Sequence, residues 1–376
     1  MKIALVCDWY APRLGGIETQ LFDLAHALGA RGHEPHVITA TPGDAGSARD
    51  VVVHRLAVPL VPGWQVVRSR RALDALHALL ARESFDVVHA HSLYSPLAHA
   101  ATWLARLLGV PSVMTSHSLV DRATALMLSA CVPEWASWAT RLTAVGRGAT
   151  EQLRRLARRA DVTHLPNGID AARFTAPPRP PRSDVTILSV LRLHARKRPL
   201  ALVRALPAVL RRAQAHCLDG RVRLVLAGDG PLRAALQAEA ARLGVADRLT
   251  LLGAVPRATI PSLYAAADLF ALPSLNEAFG IAALEARAAG LPVVAMRDGG
   301  AAELIEHGTH GLLAEDDDEL AAQLGTLVVD AALRRRMQAA APRALARWSW
   351  PSVAARHEAL YASLRAPAAV AVRRAA

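Results

Sequence analysis

At 376 residues and 52% apolar composition, the chain can build two domains of moderate size, each with a full core. No uninterrupted apolar run approaches the roughly 18 residues of a membrane span, and Cys7, Cys131 and Cys217 lack the number and spacing of a disulfide framework or a metal site. The net charge of +12 gathers where nine Arg face Glu151, Asp161 and Asp170 between Arg141 and Arg182, and where nine Arg face Glu358 from residue 331 onward; such patches suit an anionic surface, but no helix-turn-helix, zinc-finger or RNA-recognition signature accompanies them, so no nucleic acid is expected as a partner.

Strand and helix alternate along the chain. The N-terminus enters a strand, Lys2–Val6, without the basic start and small-residue cleavage site of a signal peptide, which gives a cytoplasmic expectation. A helix over Glu18–Ala30 follows, then strands Pro35–Ala40 and Val51–Leu56, and a helix Arg70–Arg82. Strands Val87–Ala90, Val113–Thr115 and Leu142–Ala144 alternate with helices Ala98–Leu108 and Ala149–Arg159. The pattern breaks at Leu165-Pro-Asn-Gly168-Ile-Asp170, and Ala176-Pro-Pro-Arg-Pro-Pro-Arg182 reads as a Pro-rich linker.

A second series follows with strand Val185–Leu191, helix Leu200–Arg212, strand Arg223–Ala227, helix Pro231–Leu243, and strands Leu249–Leu252 and Leu269–Leu272. The repeated alternation predicts α/β architecture with two parallel, helix-covered sheets. We divide it into an N-terminal Rossmann-like domain (1–175), the linker (176–183), a second Rossmann-like domain (184–349), a helix (350–365) and a disordered tail (366–376). The glycine fingerprint of dinucleotide enzymes is absent, because Gly146-Arg-Gly148 lacks the third glycine.

The richest segment is Pro273-Ser-Leu-Asn-Glu277-Ala278-Phe279-Gly280, which leads into a helix, Phe279–Ala289, closed by Gly290 and Pro292 before a strand at Val293–Val294. A strand that ends in a loop and opens a helix presents free N–H groups to an anionic or polyhydroxylated ligand. Glu277 and Glu285 frame the turn. Eight residues of helix would rise roughly 12 Å, too far for a glycosidase pair at about 5–9.5 Å, but suited to the two ends of a long ligand such as a nucleotide-sugar.

Glu277-x7-Glu285 followed by Ala-Gly290-Leu-Pro292-Val-Val resembles the donor-site signature of glycosyltransferase family 4, retaining enzymes of the GT-B fold. The resemblance runs from about residue 2 to about residue 361. It implies two Rossmann-like domains facing across a cleft, with Trp350–Leu364 as the helix that crosses back to the first. Gly15 and Gly16 resemble the family's glycine loop beside the donor diphosphate and the acceptor. Arg192 and Lys197, five residues apart after a strand, match its basic pair for the diphosphate leaving group. Leu191 stands where the family often has Gly, and Arg196 and Arg198 crowd the motif.

His117 after Val113-Met-Thr115 resembles the family's histidine near the sugar, assigned here to positioning and not to general base duty. His89 and His91 are expected to shape the cleft. Gly228-Asp229-Gly230 and Leu252-Gly253 resemble the turns near the nucleotide base, and Gly299 and Gly300 the support of the donor loop.

The reading is therefore a retaining hexosyltransferase with a UDP- or GDP-sugar as co-substrate, no other cofactor, no metal and a hydroxyl acceptor. Glu277 and the Ala278-Phe279-Gly280 backbone would hold the sugar, Glu285 the ribose, Arg192 and Lys197 the diphosphate, and His117 would orient the sugar. The alternatives are a nucleotide-sugar epimerase, a phosphorylase (disfavoured because Lys2 and Lys197 are the only lysines), and a non-catalytic membrane or scaffold protein. Leu119–Trp138, with two Trp, and Pro62-Gly-Trp64 through Arg71 are the candidates for contact with an anionic membrane at the inner face; a core helix and an ordinary surface are the competing readings.

Overall fold

In a computed structural model the chain is described over residues 1–13, 15–43, 51–131, 134–175, 184–218 and 221–365. The expected linker at 176–183 and tail at 366–376 lie outside these residues. The chain divides into two compact units, Met1–Gly168 together with the chain from Trp350 onward, and Ile169–Ser349.

In the first unit a seven-stranded sheet has the order β3-β2-β1-β6-β7-β8-β9, with every pairing parallel. Its strands are β1 (Lys2–Val6), β2 (Glu34–Thr39), β3 (Val52–Arg55), β6 (Val87–His91), β7 (Ser112–Ser116), β8 (Arg141–Ala144) and β9 (Thr163–His164). A small antiparallel pair, β4 (Leu60–Val61) and β5 (Val66–Val67), stands apart. The helices are α1 (Gly16–Gly29), α2 (Arg70–Glu83), α3 (Pro96–Leu107), α4 (Arg122–Cys131), α5 (Trp135–Trp138) and α6 (Arg147–Ala157). β6 and β7 are buried at every position, as strands covered on both faces must be. Ser69 and Ser95 cap α2 and α3 through their side chains, and Pro96 occupies the first turn where its missing N–H costs nothing.

The second unit holds a six-stranded parallel sheet of order β12-β11-β10-β13-β14-β15. These are β10 (Val185–Val190), β11 (Val222–Ala227), β12 (Leu249–Gly253), β13 (Leu269–Leu272), β14 (Val293–Met296) and β15 (Gly311–Ala314). Its helices are α7 (Pro199–Gln214), α8 (Arg233–Arg242), α9 (Ile260–Ala266), α10 (Ile281–Ala288), α11 (Asp317–Val329) and α12 (Ala331–Ala340). Leu202, Leu206 and Val209 of α7 and Leu320, Leu324 and Leu327 of α11 are packed with the strand residues in one core.

α13 (Trp350–Arg365) belongs to the first unit. Its Ala354 and Tyr361 share a core with Leu21, Leu24 and Leu28 of α1, and Arg31 donates to Glu358 at 2.8 Å. The first unit closes at Gly168 rather than at residue 175. The cause is local: the Ile169 N–H is bound by the Trp348 carbonyl, and the Phe174 ring meets Tyr264 edge-on at 5.7 Å.

Both sheets reverse strand order at one point, between β1 and β6 and between β10 and β13. In open parallel sheets the crevice outside the strand C-termini at such a reversal is the place for ligands. Gly15 and Gly16 follow β1 at the first reversal, and Arg192, Lys197 and Glu277 follow β10 and β13 at the second.

Candidate active site

In the second unit the loop after β10 carries Arg192 and Lys197, and the loop after its neighbour β13 carries Glu277. The two loops meet: Lys197 Nζ donates to Glu277 Oε2 at 2.5 Å, with the side chains 23% and 17% exposed. Lys197 Nζ and Glu277 Oε2 are thus held at a partly wet surface, where a polar ligand can reach both. Arg192 is exposed and has no ion-pair partner among the described residues. The crowding cations sort themselves. Arg198 donates to the Pro273 carbonyl at 2.9 Å and to Asp317 at 2.6 Å, so it braces the β13 loop against the N-terminus of α11. Arg196 reaches the Asn276 carbonyl at 3.4 Å.

Two glycine turns hold these loops. Gly228 and Gly230 have φ of +141° and +156°, and a Cβ at either would strike the backbone of Leu191 or Leu193. The same contact is sewn by the Leu191 N–H to Ala227 at 3.0 Å and the Leu193 N–H to Asp229 at 2.9 Å. These glycines therefore serve first to let the turn lie against the Arg192 loop. The Asp229 side chain accepts from the Gly230 N–H at 2.8 Å.

On the other loop, the Gly300 N–H binds the Glu277 carbonyl at 2.7 Å, and a Cβ on Gly300 would lie 2.5 Å from that same oxygen. Gly280, at φ +91°, sits before α10 with no room for a side chain against Ala301. Because Gly280 is left-handed, α10 starts at Ile281 and not at Phe279. The helical rise expected between Glu277 and Glu285 thus applies only from Ile281 onward. Ala278 and Phe279 are buried beneath the turn, and Glu285 is half-buried on α10. The Tyr264 hydroxyl donates to Glu285 Oε2 at 2.9 Å and lies 3.0 Å from the Ala282 carbonyl. Burial, with the Glu285 charge beside it, holds the Tyr264 hydroxyl protonated well above its ordinary range. Nothing in the sequence motif pointed to Tyr264 as the group that aims Glu285.

Gly15, Gly16 and His117 belong to the first unit. Gly15 is in extended backbone before α1, and a Cβ there would collide with the Glu18 carboxylate, itself held by Arg13 at 3.1 Å. Gly16 is exposed at the first turn of α1.

His117 follows β7 and is half-buried. Its Nε2 lies 3.0 Å from Nδ1 of His91, the last residue of β6. His89 lies deeper, bound by the Tyr361 hydroxyl at 2.6 Å and by Thr115 at 2.6 Å. A small cavity is lined by His91, His117, His357, Gln20 and Asn167. Burial lowers the pKa of all four histidines, His117 and His357 to about 4 and His89 and His91 well below the usual range, so the set is neutral near pH 7. Gln20 exchanges two hydrogen bonds with the Gly168 backbone, at 3.0 and 3.1 Å. Gln20, Asn167 and His357 had no assignment from sequence, since each stands in a helix or turn without a chemical motif.

Asp8, two residues beyond β1, is fully buried. It accepts from the Val67 N–H at 2.7 Å, the Ser95 hydroxyl at 2.6 Å and the Leu97 N–H at 3.0 Å, joining β5 to α3. Trp135 is buried and meets the His99 ring edge-on, whereas Trp64 is 72% exposed. Among the described residues no helix is long and apolar enough to cross a membrane.

The family model for Glycosyltransferase Family 4 matches residues 14–173, and that for Glycosyl transferases group 1 matches residues 172–344. The chain is 34% identical over 389 residues to D-inositol 3-phosphate glycosyltransferase of Xylanimonas cellulosilytica, covering 93% of this chain and 91% of that one. It is 28% identical over 383 residues to phosphatidyl-myo-inositol mannosyltransferase of Mycobacterium leprae, covering 96% of each chain. Among solved structures, Anabaena Alr3699/HepE in complex with UDP-glucose superposes with a TM-score of 0.78 at 22% identity, over 96% of this chain and 100% of that one. The two-sheet architecture is that of the GT-B fold.

Proposed function

The chain belongs to glycosyltransferase family 4 and is a hexosyltransferase, and from that premise we propose that it moves a hexose from a nucleoside-diphosphate sugar to a hydroxyl of an inositol-bearing acceptor, with retention. The observation that carries the donor half is the contact of Lys197 with Glu277 across the sheet reversal: one cation and one carboxylate, side by side and partly exposed, on loops held by glycine turns. Lys197 and Arg192 meet the diphosphate. Glu277 accepts from hexose hydroxyls, and the N–H groups at the start of α10 face the same ligand. Glu285, aimed by Tyr264, takes the ribose hydroxyls.

In the transfer, the bond from the anomeric carbon to the phosphate oxygen breaks and its electron pair stays on the diphosphate. The acceptor oxygen forms the new bond on the same face and gives its proton to the departing phosphate oxygen. Lys197 and Arg192 stabilise the charge that builds there, which is the contribution a metal would otherwise make. His117 orients the sugar. The inositol-bearing acceptor is supported by the names of the two relatives above, and exposed Trp64 in the first unit supports peripheral contact with an anionic membrane.

The test is product analysis with UDP- and GDP-hexoses against inositol phosphate and phosphatidylinositol acceptors. An α-linked product from an α-linked donor, formed undiminished in chelator, is expected. A β-linked product removes retention from the reading; an epimerised donor without acceptor glycosylation replaces transfer by epimerisation.

A further inference from the structure

His91 and His117 are bonded nitrogen to nitrogen, so one of them donates and the other accepts. The remaining nitrogen of His91, Nε2, is buried and meets no hydrogen-bond partner among the described residues. Two arrangements satisfy the pair. If His117 donated from Nε2, His91 would hold its own proton on Nε2, and a buried N–H would be orphaned. If His91 donates from Nδ1, only a lone pair is left there. Buried orphan N–H groups are rarer than under-satisfied acceptors, so the second arrangement costs less.

Resting on the reading of His117 as the sugar-orienting group, we infer that His91 is a positioning residue that fixes His117 as its Nδ1–H tautomer, so that His117 meets the substrate as a hydrogen-bond donor and not as a base. The fixed geometry follows from the fold. His91 ends β6 and His117 follows β7, its neighbour, and the His91 ring is itself packed against His89 at 4.1 Å between centroids. His357 is the other ionisable side chain packed on this pair from α13, and its Nδ1 donates to the Val353 carbonyl at 2.9 Å. The depressed pKa values keep the whole set neutral, so the tautomer is a property of the working enzyme.

The experiment uses the full chain, with ¹⁵N-labelled histidine and steady-state transfer rates for wild type, His91→Asn, His91→Phe, His117→Ala and the double variant His91→Phe/His117→Ala. The carboxamide of Asn can place a donor near the Nδ1 position, whereas Phe keeps the ring and removes both nitrogens. In wild type, Nδ1 of His117 is expected to show the protonated shift and Nε2 the bare one. His91→Phe should mix the tautomers and lower kcat about tenfold, the scale of one hydrogen bond, with KM little changed. His91→Asn should recover most of kcat, and the double variant should be no slower than His117→Ala. A wild-type His117 protonated on Nε2, or additive effects in the double variant, would overturn the inference. Unchanged kinetics in His117→Ala would instead strike the role of His117 while the ¹⁵N shifts still decide the pairing.

Discussion

Glu277→Gln separates two jobs that the Lys197–Glu277 contact performs. Two unit charges 4 Å apart attract by about 4 kcal/mol at an effective dielectric of 20, but desolvation and side-chain ordering cancel most of this at a site that water still reaches. With the partners 23% and 17% exposed, about 1 kcal/mol remains. Neutralising Glu277 forfeits that contribution, which lowers the melting temperature of its unit by about 2–4 °C. It also releases Lys197 for a diphosphate, so the free nucleoside diphosphate should bind up to about fivefold tighter. Transfer should nevertheless fall about a hundredfold, because the sugar loses the carboxylate proposed to hold its hydroxyls. Calorimetric titration of UDP and GDP, beside initial rates of transfer, measures both. A loss of nucleotide affinity in parallel with the loss of rate would instead mean that Glu277 contributes to nucleotide binding directly, contrary to the two roles separated here.

Gly300→Ala places a Cβ 2.5 Å from the Glu277 carbonyl, and Gly228→Ala drives one into the Leu191 backbone. Each should cost about 1–3 kcal/mol in chemical denaturation and weaken nucleotide binding, since the loops of Glu277 and Arg192 must shift. Arg287 is fully buried on α10 and donates to the carbonyls of Ala341, Leu304 and Arg343 at 3.1, 2.6 and 2.8 Å. Arg287→Leu strands these acceptors and should cost about 3 kcal/mol or more, read as the loss of a cooperative urea transition. The buried histidines protonate in the unfolded chain near pH 6.5 and, for His117 and His357, only near pH 4 in the folded one. Unfolding therefore takes up protons between these values, and stability holds above about pH 6.5 and falls as the pH drops toward 4. His357→Phe should flatten that dependence, checked by urea midpoints at pH 7.5 and pH 5.

What could be read from sequence followed from local chemistry. The sequence places a strand at Leu269–Leu272 and β13 lies there, because a continuous apolar run before a polar turn suits a covered parallel sheet. The strand-end positions of Lys197 and Glu277 mark both from sequence as candidates to face a ligand; what the structure adds is that the two side chains touch across 80 residues.

Other features depend on tertiary neighbours that no local pattern encodes. Arg287, in an Ala-rich helix, carries no sign that three carbonyls from Leu304 to Arg343 converge on it. Tyr264 is fixed to Glu285 only once α9 and α10 are packed. His91 reads from sequence as lining the site, but its nitrogen-to-nitrogen bond with His117 appears only when β6 and β7 pair in register. Gly228 and Gly230 are assigned by resemblance to the nucleotide base; the structure shows that their missing Cβ atoms first admit the backbone of the Arg192 loop.

The proposed nucleotide-sugar site is built on the loops after β10 and β13. Calorimetric binding of UDP- and GDP-sugars to wild type, Lys197→Ala and Glu285→Ala tests it most directly. One nucleotide class is expected to bind the wild type, and both substitutions to weaken it by about tenfold or more, the worth of a charge-assisted contact. Equal affinity in all three proteins, or no binding of either sugar class to the wild type, would contradict it.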